Sequence, residues 1–382
     1  MKYEYDQLMQ YIEENDVKFI RLAFCDIFGV PKNVSILPGE LQRAFDEGIG
    51  IDASLIDGFG GSDEVVYLRP NKGSITILPW RPAHGRVIRL FCDVKRADDS
   101  SLPADTRKIL RRMVARDVRS QGLVCRIGSE CEFYLLKLDE NGEPTGQPFD
   151  RAGYMDVAPQ DRGENIRREI CLCLEQMGIL PETSHHEAGP GQNEIDFQVS
   201  DAVTAADNLI TYQSVVRTVA DRSGLYADFA PKPLKGQPGN GLHINLSLAK
   251  EGENIMQGEA LSAFAAGIMN RLCEMTAFLN PCPESYKRLE YYSGGVLIHE
   301  DKGRGRVEVT SPDSRINPYL AYSLLVCAGM EGIRQRMTPA GARIQLPKTL
   351  NEALGLAEKS GFVKNVLTEE FLQAYISAVM EK

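Results

Sequence analysis

Four short segments of the chain alternate between apolar and polar residues. They are RIGSECEFYLL (residues 126–136), GQNEIDFQV (191–199), GLHINLSL (241–248) and GRVEVT (305–310). Successive side chains of a β-strand point to opposite faces, so each segment predicts a strand with one apolar and one polar face. The chain must therefore build a sheet that is buried on one side, and the polar side needs its own explanation.

The polar faces, together with the turn before the second strand, carry five carboxylates, an imidazole and a guanidinium. These groups belong to Glu130, Glu132, Glu187, Glu194, His243, Arg306 and Glu308. Taken singly, each segment has a simpler reading as a solvated strand face or a hairpin with a polar exterior. If the faces line one cavity, however, the carboxylates need compensation, because unpaired buried charge costs several kcal/mol per ion. Two divalent cations would supply it, and oxygen-rich ligation without thiols favours Mg²⁺ or Mn²⁺.

The chain changes character near residue 100. The residues before it predict short strands and turns, in segments such as VKFIRLAF and RVIRLFCDV. The segment PADTRKILRRMVARDVRSQG then has helical spacing and ends at Gly122. Beyond it, strands and helices intermix without the regular repeat of a parallel sheet. We predict an α+β fold with domains at residues 1–102 and 103–382.

Composition excludes several classes of function. The chain has 43 basic and 53 acidic side chains, and a net charge of −10 argues against a dedicated nucleic-acid binder. We find no signal-peptide pattern and no run of about 18 apolar residues, so we expect a cytoplasmic protein without a membrane partner. Nine cysteines without a CxxC pair predict reduced, mostly buried thiols rather than disulfides or a zinc site.

Other histidines and the tryptophan have simpler explanations. His185 and His186, beside Glu187, are expected to be hydrogen-bonded structural groups. Trp80 is expected to pack against the core. His84 and His299 lie in segments that resemble loops, and we assign them no role.

Several longer motifs occur along the chain in a fixed order. They are GSECEFYLL, SHHEAGPGQNEI, FAPKP, GNGLHINLSL, ESYKRL and GRVEVTSPDSRINPYLAY. Together they resemble the glutamine synthetase family over nearly the whole chain, and several motifs in register are far more specific than one. The resemblance implies a small N-terminal β-grasp domain, a catalytic domain on a curved antiparallel sheet, and a ring-shaped homo-oligomer. It also implies that ATP phosphorylates a carboxylate and that an amine then attacks the acyl phosphate.

The resemblance implies roles by position. The first metal would bind Glu132, Glu187 and Glu194, and the second Glu130, His243 and Glu308. The amino-acid substrate would contact Gly239, Asn240, Gly241 and Arg288, and ATP would contact Ser247 and Arg306. Asp52, in IDASLIDGF, would serve the ammonium pocket of a neighbouring subunit, although the match there is loose.

The chain departs from the family pattern after Arg288. The family carries a flap with a Pro-Gly-Tyr-Glu sequence and an Asn-Arg-Ser segment there, whereas this chain has only EYYSGGVLIHEDKGR. Glu290 is the nearest residue to the flap glutamate but is out of register, and we expect a more open site. Thr310 stands where the family has an arginine, and losing one such donor costs roughly 10²- to 10³-fold in rate. The basic residues that could replace this charge are Lys302, Arg304 and Arg315.

Three functions are therefore open on the sequence. The first is an ATP-dependent carboxylate-amine ligase. Its substrates would be glutamate and ammonia, or a different acid or a different amine. The second is a related phosphotransferase that acts on another acceptor, such as a guanidino group. The third is a regulatory relative that binds nucleotide, because a fold does not by itself secure activity.

Overall fold

The computed structural model describes residues 5–60, 65–82, 84–290, 295–301, 303–339 and 344–381. Its helices are α1 (Tyr5–Glu14), α2 (Leu41–Asp46), α3 (Thr106–Asp117), α4 (Glu164–Gln176), α5 (Ala202–Arg222), α6 (Gly258–Leu279), α7 (Pro283–Leu289), α8 (Pro318–Gln335), α9 (Leu350–Lys359), α10 (Gly361–Leu367) and α11 (Glu369–Met380). Its strands are β1 (Val17–Cys25), β2 (Pro31–Ile36), β3 (Ile49–Asp52), β4 (Val65–Pro70), β5 (Thr76–Ile77), β6 (Arg86–Lys95), β7 (Val124–Leu138), β8 (Pro144–Pro148), β9 (Pro181–His186), β10 (Gln192–Asp201), β11 (Leu225–Asp228), β12 (Leu242–Lys250), β13 (Glu253–Asn254), β14 (Val296–Asp301) and β15 (Arg304–Val309). Within these ranges, none of the helices combines the length and apolar character that a membrane span requires.

The N-terminal part of the chain forms a mixed sheet of the β-grasp type. The strand order is β2-β1-β6-β4-β3, with β5 paired to β6, and β1 runs parallel to β6. Two helices, α1 and α2, lie in the region that we predicted to be strands and turns alone. Helix α1 forms because Leu8 and Ile12, four residues apart, both enter the core. The prediction of a small β-rich unit is confirmed. The unit also contains the two helices, which the sequence interpretation did not include.

The rest of the chain is built on an antiparallel sheet. Its strand order is β14-β15-β12-β7-β10-β9, while β8 and β11 add to β7 and β13 adds to β12. One face packs on helices: the Tyr212 hydroxyl of α5 donates to the Cys131 carbonyl at 3.0 Å, and the hydroxyls of Tyr322 and Ser129 lie 2.6 Å apart. The α+β class and the antiparallel catalytic sheet are confirmed.

Helix α3 follows the junction between the two sheets. Asp105 caps it, because its carboxylate accepts hydrogen bonds from the backbone of Lys108 and of Val94, each at 2.9 Å. The predicted helix is present, but it ends at Asp117, and a short 3₁₀ turn leads to Gly122. Gly122 has φ +71°, which suits glycine at a helix terminus.

A buried polar network joins the N-terminal sheet to the catalytic part. Arg107 on α3 donates to both carboxylate oxygens of Asp207 at 2.9 and 2.8 Å, and the Tyr319 hydroxyl donates to Asp207 at 2.7 Å. Across the junction, Arg107 Nη1 also lies 3.4 Å from Asp93 Oδ1 on β6, and Arg89 on β6 donates to the Thr211 hydroxyl at 2.6 Å. Because these charged side chains are buried against each other, the network fixes how the two sheets sit together.

The predicted burial of most cysteines and the predicted packing of Trp80 are confirmed. All nine thiols are free, and six of them are buried. Trp80 is partly buried and packs against the hydrophobic core.

Candidate active site

The polar faces of β10, β7, β12 and β15 lie side by side on the sheet face opposite the helices. Glu194 pairs in register with Glu132, and His243 pairs with Glu130. Glu308 pairs with Asn245 on the other edge of β12. The register follows from the alternation in the sequence, because a slip of one residue would turn every carboxylate into the core.

The first group of side chains, which we name the Glu130 cluster, comprises Glu130, His243 and Glu308. Each offers one atom that could bind a metal, and these three atoms lie within 4.8 Å of one another. His243 Nδ1 lies 3.2 Å from a carboxylate oxygen of each glutamate. Burial alone would lower the pKa of His243, but the hydrogen bonds to the two glutamates outweigh it and raise the pKa to about 10. The cluster thus attracts positive charge.

The second group, which we name the Glu187 cluster, comprises His185, Glu187 and Glu194, again with donor atoms within 4.8 Å. The tight turn after β9 folds Glu187 back toward β10, and His185 Nε2 lies 2.8 Å from Glu187 Oε1. Burial, followed by the charges of Asp196 and Glu132, raises the pKa of Glu194 to about 9. This buried acid therefore lacks the positive charge that would let it ionise at neutral pH.

Glu132 lies in register beside Glu194. It connects the carboxylates that could bind a metal to the glycine-rich loop at residues 239–241. Its Oε2 accepts hydrogen bonds from Gln192 Nε2 at 2.8 Å and from the Gly241 backbone at 2.9 Å. Burial raises the pKa of Glu132, and the charge of Glu187 adds to the effect. A Cβ at Gly241 would lie 3.3 Å from Glu132 Oε1, a tight approach to which the carboxylate would have to yield by a few tenths of an ångström.

The loop of Gly239, Asn240 and Gly241 lies against the aliphatic stem of Arg288. Asn240 is fully buried, and its amide donates to the carbonyls of Asp228 and Ala230 at 3.0 Å each. Arg288 Nη2 donates to the carbonyls of Ser311 and Pro312. The loop is thus fixed by backbone hydrogen bonds on one side and by the Arg288 stem on the other.

Replacing Gly239 by alanine is expected to damage this surface. The new Cβ would collide with the Pro231 carbonyl and would lie 2.7 Å from Arg288 Cγ. We expect a loss of about 1–3 kcal/mol in unfolding free energy, measured by denaturant unfolding. Gly39→Ala is the matched control, since a Cβ there meets nothing within 4 Å. Equal behaviour of the two variants would contradict the contact.

Asn245 links the Glu130 cluster to the residues expected to contact ATP. Its amide nitrogen donates to Glu130 Oε1 at 2.7 Å, and its carbonyl oxygen accepts from Arg306 Nε at 2.8 Å. Ser247 lies two residues along β12 and so faces the same side as Asn245. Arg306 is exposed, so its guanidinium faces the open side of the sheet.

Asp52 lies elsewhere, at the end of β3 in the N-terminal sheet. It is exposed, and its carboxylate accepts hydrogen bonds from the Ser54 backbone at 2.9 Å and hydroxyl at 2.6 Å. Its position at the edge of the other sheet suits the expected role toward a neighbouring subunit, and that role stays a proposal.

The two adjacent histidines have different surroundings. His186 is fully buried between Asp150 Oδ1, 2.9 Å from Nε2, and the Glu187 carbonyl, 2.7 Å from Nδ1. Since both partners only accept, both ring nitrogens must donate; burial opposes this, but the hydrogen bonds raise the pKa of His186. His186 has the structural position that we predicted. His185 instead belongs to the Glu187 cluster.

Three residues of the site were missed by the sequence interpretation. Gln192 and Asn245 had a usable signal, because Gln192 lies two residues before Glu194 and Asn245 two residues after His243, on the same strand faces. His299 was placed in a loop without a role, and that prediction is wrong: it lies on β14, and its Nε2 is 2.6 Å from Glu308 Oε2. The signal was hidden because β14 follows a segment that departs from the family motif.

The short segment after Arg288 returns to the sheet as β14. Residues 291–294 and Lys302 lie outside the described residues, so the openness expected there stays a prediction. At its described start, Gly295 exchanges hydrogen bonds with Thr310, whose hydroxyl accepts from the Gly295 amide at 3.0 Å and donates to its carbonyl at 3.1 Å. Thr310, which stands where an arginine was expected, therefore anchors the beginning of β14. Arg304 and Arg315 are exposed.

Comparison with protein families identifies this arrangement. The model of the glutamine synthetase β-grasp domain matches residues 16–97, and that of the glutamine synthetase catalytic domain matches residues 103–381. The chain belongs to the glutamine synthetase family. A glutamine synthetase of Clostridium saccharobutylicum is 40% identical over 98% of this chain and 94% of its own length, and one of Methanosarcina mazei is 36% identical over 98% and 92%.

Solved structures of this family share the whole architecture. GmaS without ligand superimposes with a TM-score of 0.88 at 26% identity, covering 98% of this chain and 96% of its own. A glutamine synthetase of Plasmodium falciparum superimposes with a TM-score of 0.89 at 21% identity, covering 100% and 96%, and supports the fold alone. Members of the glutamine synthetase family are ligases that use ATP and divalent metals.

The donor set of this chain fits such metals. The Glu130 cluster offers two carboxylates and an imidazole, and the Glu187 cluster with Glu132 adds three more carboxylates. The raised pKa values of Glu194 and Glu132 mark a deficit of positive charge at the centre of the sheet. Oxygen-rich sites of this kind suit Mg²⁺ or Mn²⁺.

Proposed function

We propose that this chain is an ATP-dependent carboxylate-amine ligase that activates glutamate or a similar acid as an acyl phosphate. In the first step, the γ-phosphoryl group of ATP moves to a carboxylate oxygen of the acid and ADP leaves. In the second, the nitrogen of ammonia or another amine attacks the acyl carbon, the carbon–oxygen bond to phosphate breaks, and the nitrogen loses a proton. Phosphorylation thus converts a poor leaving group into a good one.

One observation carries this proposal: Glu132 belongs to both halves of the site. The same carboxylate oxygen accepts from the Gly241 backbone, in the loop beside Arg288, and from Gln192, two residues before Glu194. An acid substrate held along this loop would have its own carboxylate next to the glutamates that we propose as metal ligands. That proximity is what transfer of a phosphoryl group to the acid requires, because the reaction depends mainly on positioning and charge stabilisation.

We propose the metal and substrate residues by position. Glu132, Glu187 and Glu194 would hold one Mg²⁺ or Mn²⁺, and Glu130, His243 and Glu308 the other. Bound metals would neutralise phosphate charge. Arg288 would bind the acid, and Arg306, oriented by Asn245, and Ser247 would bind ATP. A solved complex of GmaS with ADP, 26% identical to this chain with a TM-score of 0.87, supports a nucleotide site in this chain.

The surroundings of the site complete the proposal. We propose domain limits at residues 1–102 and 103–382, which the matched ranges 16–97 and 103–381 support. Asp52 would act on the amine in the site of a neighbouring subunit, within a ring-shaped homo-oligomer. Nine free thiols suit a reducing compartment, and we propose the cytoplasm.

Release of phosphate from ATP tests the ligase proposal. Purified protein with Mg²⁺ or Mn²⁺ is assayed with glutamate plus ammonia, glutamate plus a panel of primary amines, and guanidino acceptors without glutamate. We expect release to require both an acid and one amine, and the responsive amine names the acceptor. Formation of ADP without free phosphate, with a guanidino acceptor and no acid, would favour a phosphotransferase. Bound nucleotide without turnover would favour a regulatory relative.

A further inference from the structure

Strand β14 brings a second imidazole to the Glu130 cluster. Residues Val296 to Asp301 pair antiparallel with β15, and His299 stands opposite Arg306. From that position His299 Nε2 lies 2.6 Å from Glu308 Oε2. The sequence offered no reason to expect this contact, because the segment departs from the family motif.

Glu308 is shared between two imidazoles. One oxygen lies 3.2 Å from His243 Nδ1, and the other lies 2.6 Å from His299 Nε2. An ionised carboxylate only accepts hydrogen bonds and has about four lone-pair sites on its two oxygens. Nε2 of His299 therefore carries the hydrogen, and the bond leaves Glu308 able to accept a further partner.

We infer that His299 is a positioning residue that fixes the Glu308 carboxylate for a divalent metal in the Glu130 cluster. This inference rests on the proposed metal role of that cluster. Metal-binding carboxylates are commonly held by a second hydrogen bond, which sets their orientation and affinity. Here His299 holds the Glu308 carboxylate.

His299 acts through Glu308 and is not itself one of the candidate metal ligands of the Glu130 cluster. Donor atoms of Glu130, His243 and Glu308 all lie within 4.8 Å of one another, and His299 is outside this set. Its side chain is 36% exposed, whereas that of Glu308 is 9% exposed. His299 therefore covers the carboxylate from the outer edge of the sheet.

Thr310 supports the same arrangement from the start of the strand. Its hydroxyl exchanges hydrogen bonds with Gly295, one residue before β14 begins. The threonine that replaces the expected arginine thus anchors the strand that delivers His299. Both departures from the family pattern belong to one local structure.

Binding of Mn²⁺ to the full-length protein, measured by calorimetry and by the electron paramagnetic resonance of free Mn²⁺, tests the inference. We compare His299→Ala, His299→Gln and Ile298→Ala, and Glu308→Gln identifies the Mn²⁺ site of the Glu130 cluster. His299→Ala is expected to weaken that site about 10- to 100-fold. His299→Gln should restore most of the affinity, because its amide nitrogen can donate where Nε2 does. Ile298 is exposed and stands opposite Val307, on the other face of the strand, so its truncation should be neutral.

Three results would overturn the inference. The first is an unchanged Mn²⁺ affinity in folded His299→Ala, and the second is no Mn²⁺ binding at this site in the wild type. The third is a loss in His299→Gln as large as in His299→Ala, which would make His299 a ligand. Circular dichroism confirms that each variant is folded. The outcome is separate from the proposed function, since Mn²⁺ affinity can respond to His299 in a protein that transfers no phosphate to an acid.

Discussion

Glu132→Gln is expected to lower ligase turnover by at least roughly 10²- to 10³-fold, the scale of losing one electrostatic group in an active site. Glutamine keeps an oxygen that can accept from the Gly241 backbone, so the change removes charge and leaves the local hydrogen bond. The metal should bind more weakly for the same reason. Initial rates of phosphate release and Mn²⁺ titration measure the two effects.

The fold should survive this substitution. Burial raises the pKa of Glu132, so its charge costs free energy in the metal-free protein. We therefore expect the unfolding free energy of Glu132→Gln without metal to equal or exceed that of the wild type. Glu140→Gln, at an exposed turn, is the charge-matched control. Turnover of Glu132→Gln equal to that of the control would remove Glu132 from the catalytic site.

Asp207→Asn is expected to destabilise the protein by about 3–5 kcal/mol, the cost of breaking a buried ion pair from one side. Asp207 accepts two hydrogen bonds from Arg107 and one from Tyr319, and both charged side chains are almost completely buried. Asparagine keeps the volume and leaves the Arg107 charge with only its longer contact to Asp93, 3.4 Å away. Urea unfolding followed by circular dichroism measures the difference.

A half-exposed ion pair provides the comparison. Arg43 Nε lies 2.8 Å from Glu40 Oε2, and both side chains are about half exposed. Glu40→Gln should therefore cost only about 0–1 kcal/mol. If Asp207→Asn loses no more than this control, the buried network does not hold the two sheets together. A large loss in Asp207→Asn should also loosen the N-terminal sheet, detected as faster proteolysis between residues 95 and 106.

Alternation carried most of what the sequence predicted about the catalytic sheet. A strand with one buried face has its register fixed by that face. The spacing therefore predicted that one side of the sheet carries Glu130, Glu132, Glu194 and His243. Their roles came from the family motifs. The sequence could not show that Glu132 joins two halves of the site, because the contact with Gly241 depends on how β7 and β12 pair.

The failures have physical causes of a different kind. Helix α8 was not predicted, because the segment from Leu320 to Met330 is buried on every side and so has no amphipathic pattern. His299 was missed because β14 is an edge strand, and its one important contact is made to β15 rather than within its own segment. Arg107 and Asp207 lie a hundred residues apart, and their pairing is set by the packing of α3 against α5.

Isotope transfer from the acid tests the central claim most directly. Glutamate labelled with ¹⁸O in its side-chain carboxylate is incubated with the enzyme, ATP, Mg²⁺ and the amine identified by the release assay, and the phosphate is analysed by mass spectrometry. An acyl phosphate predicts one ¹⁸O atom in each phosphate released, because the bond broken in the second step is the one between acyl carbon and oxygen. Phosphate without label, at the same rate of release, would contradict activation of the acid.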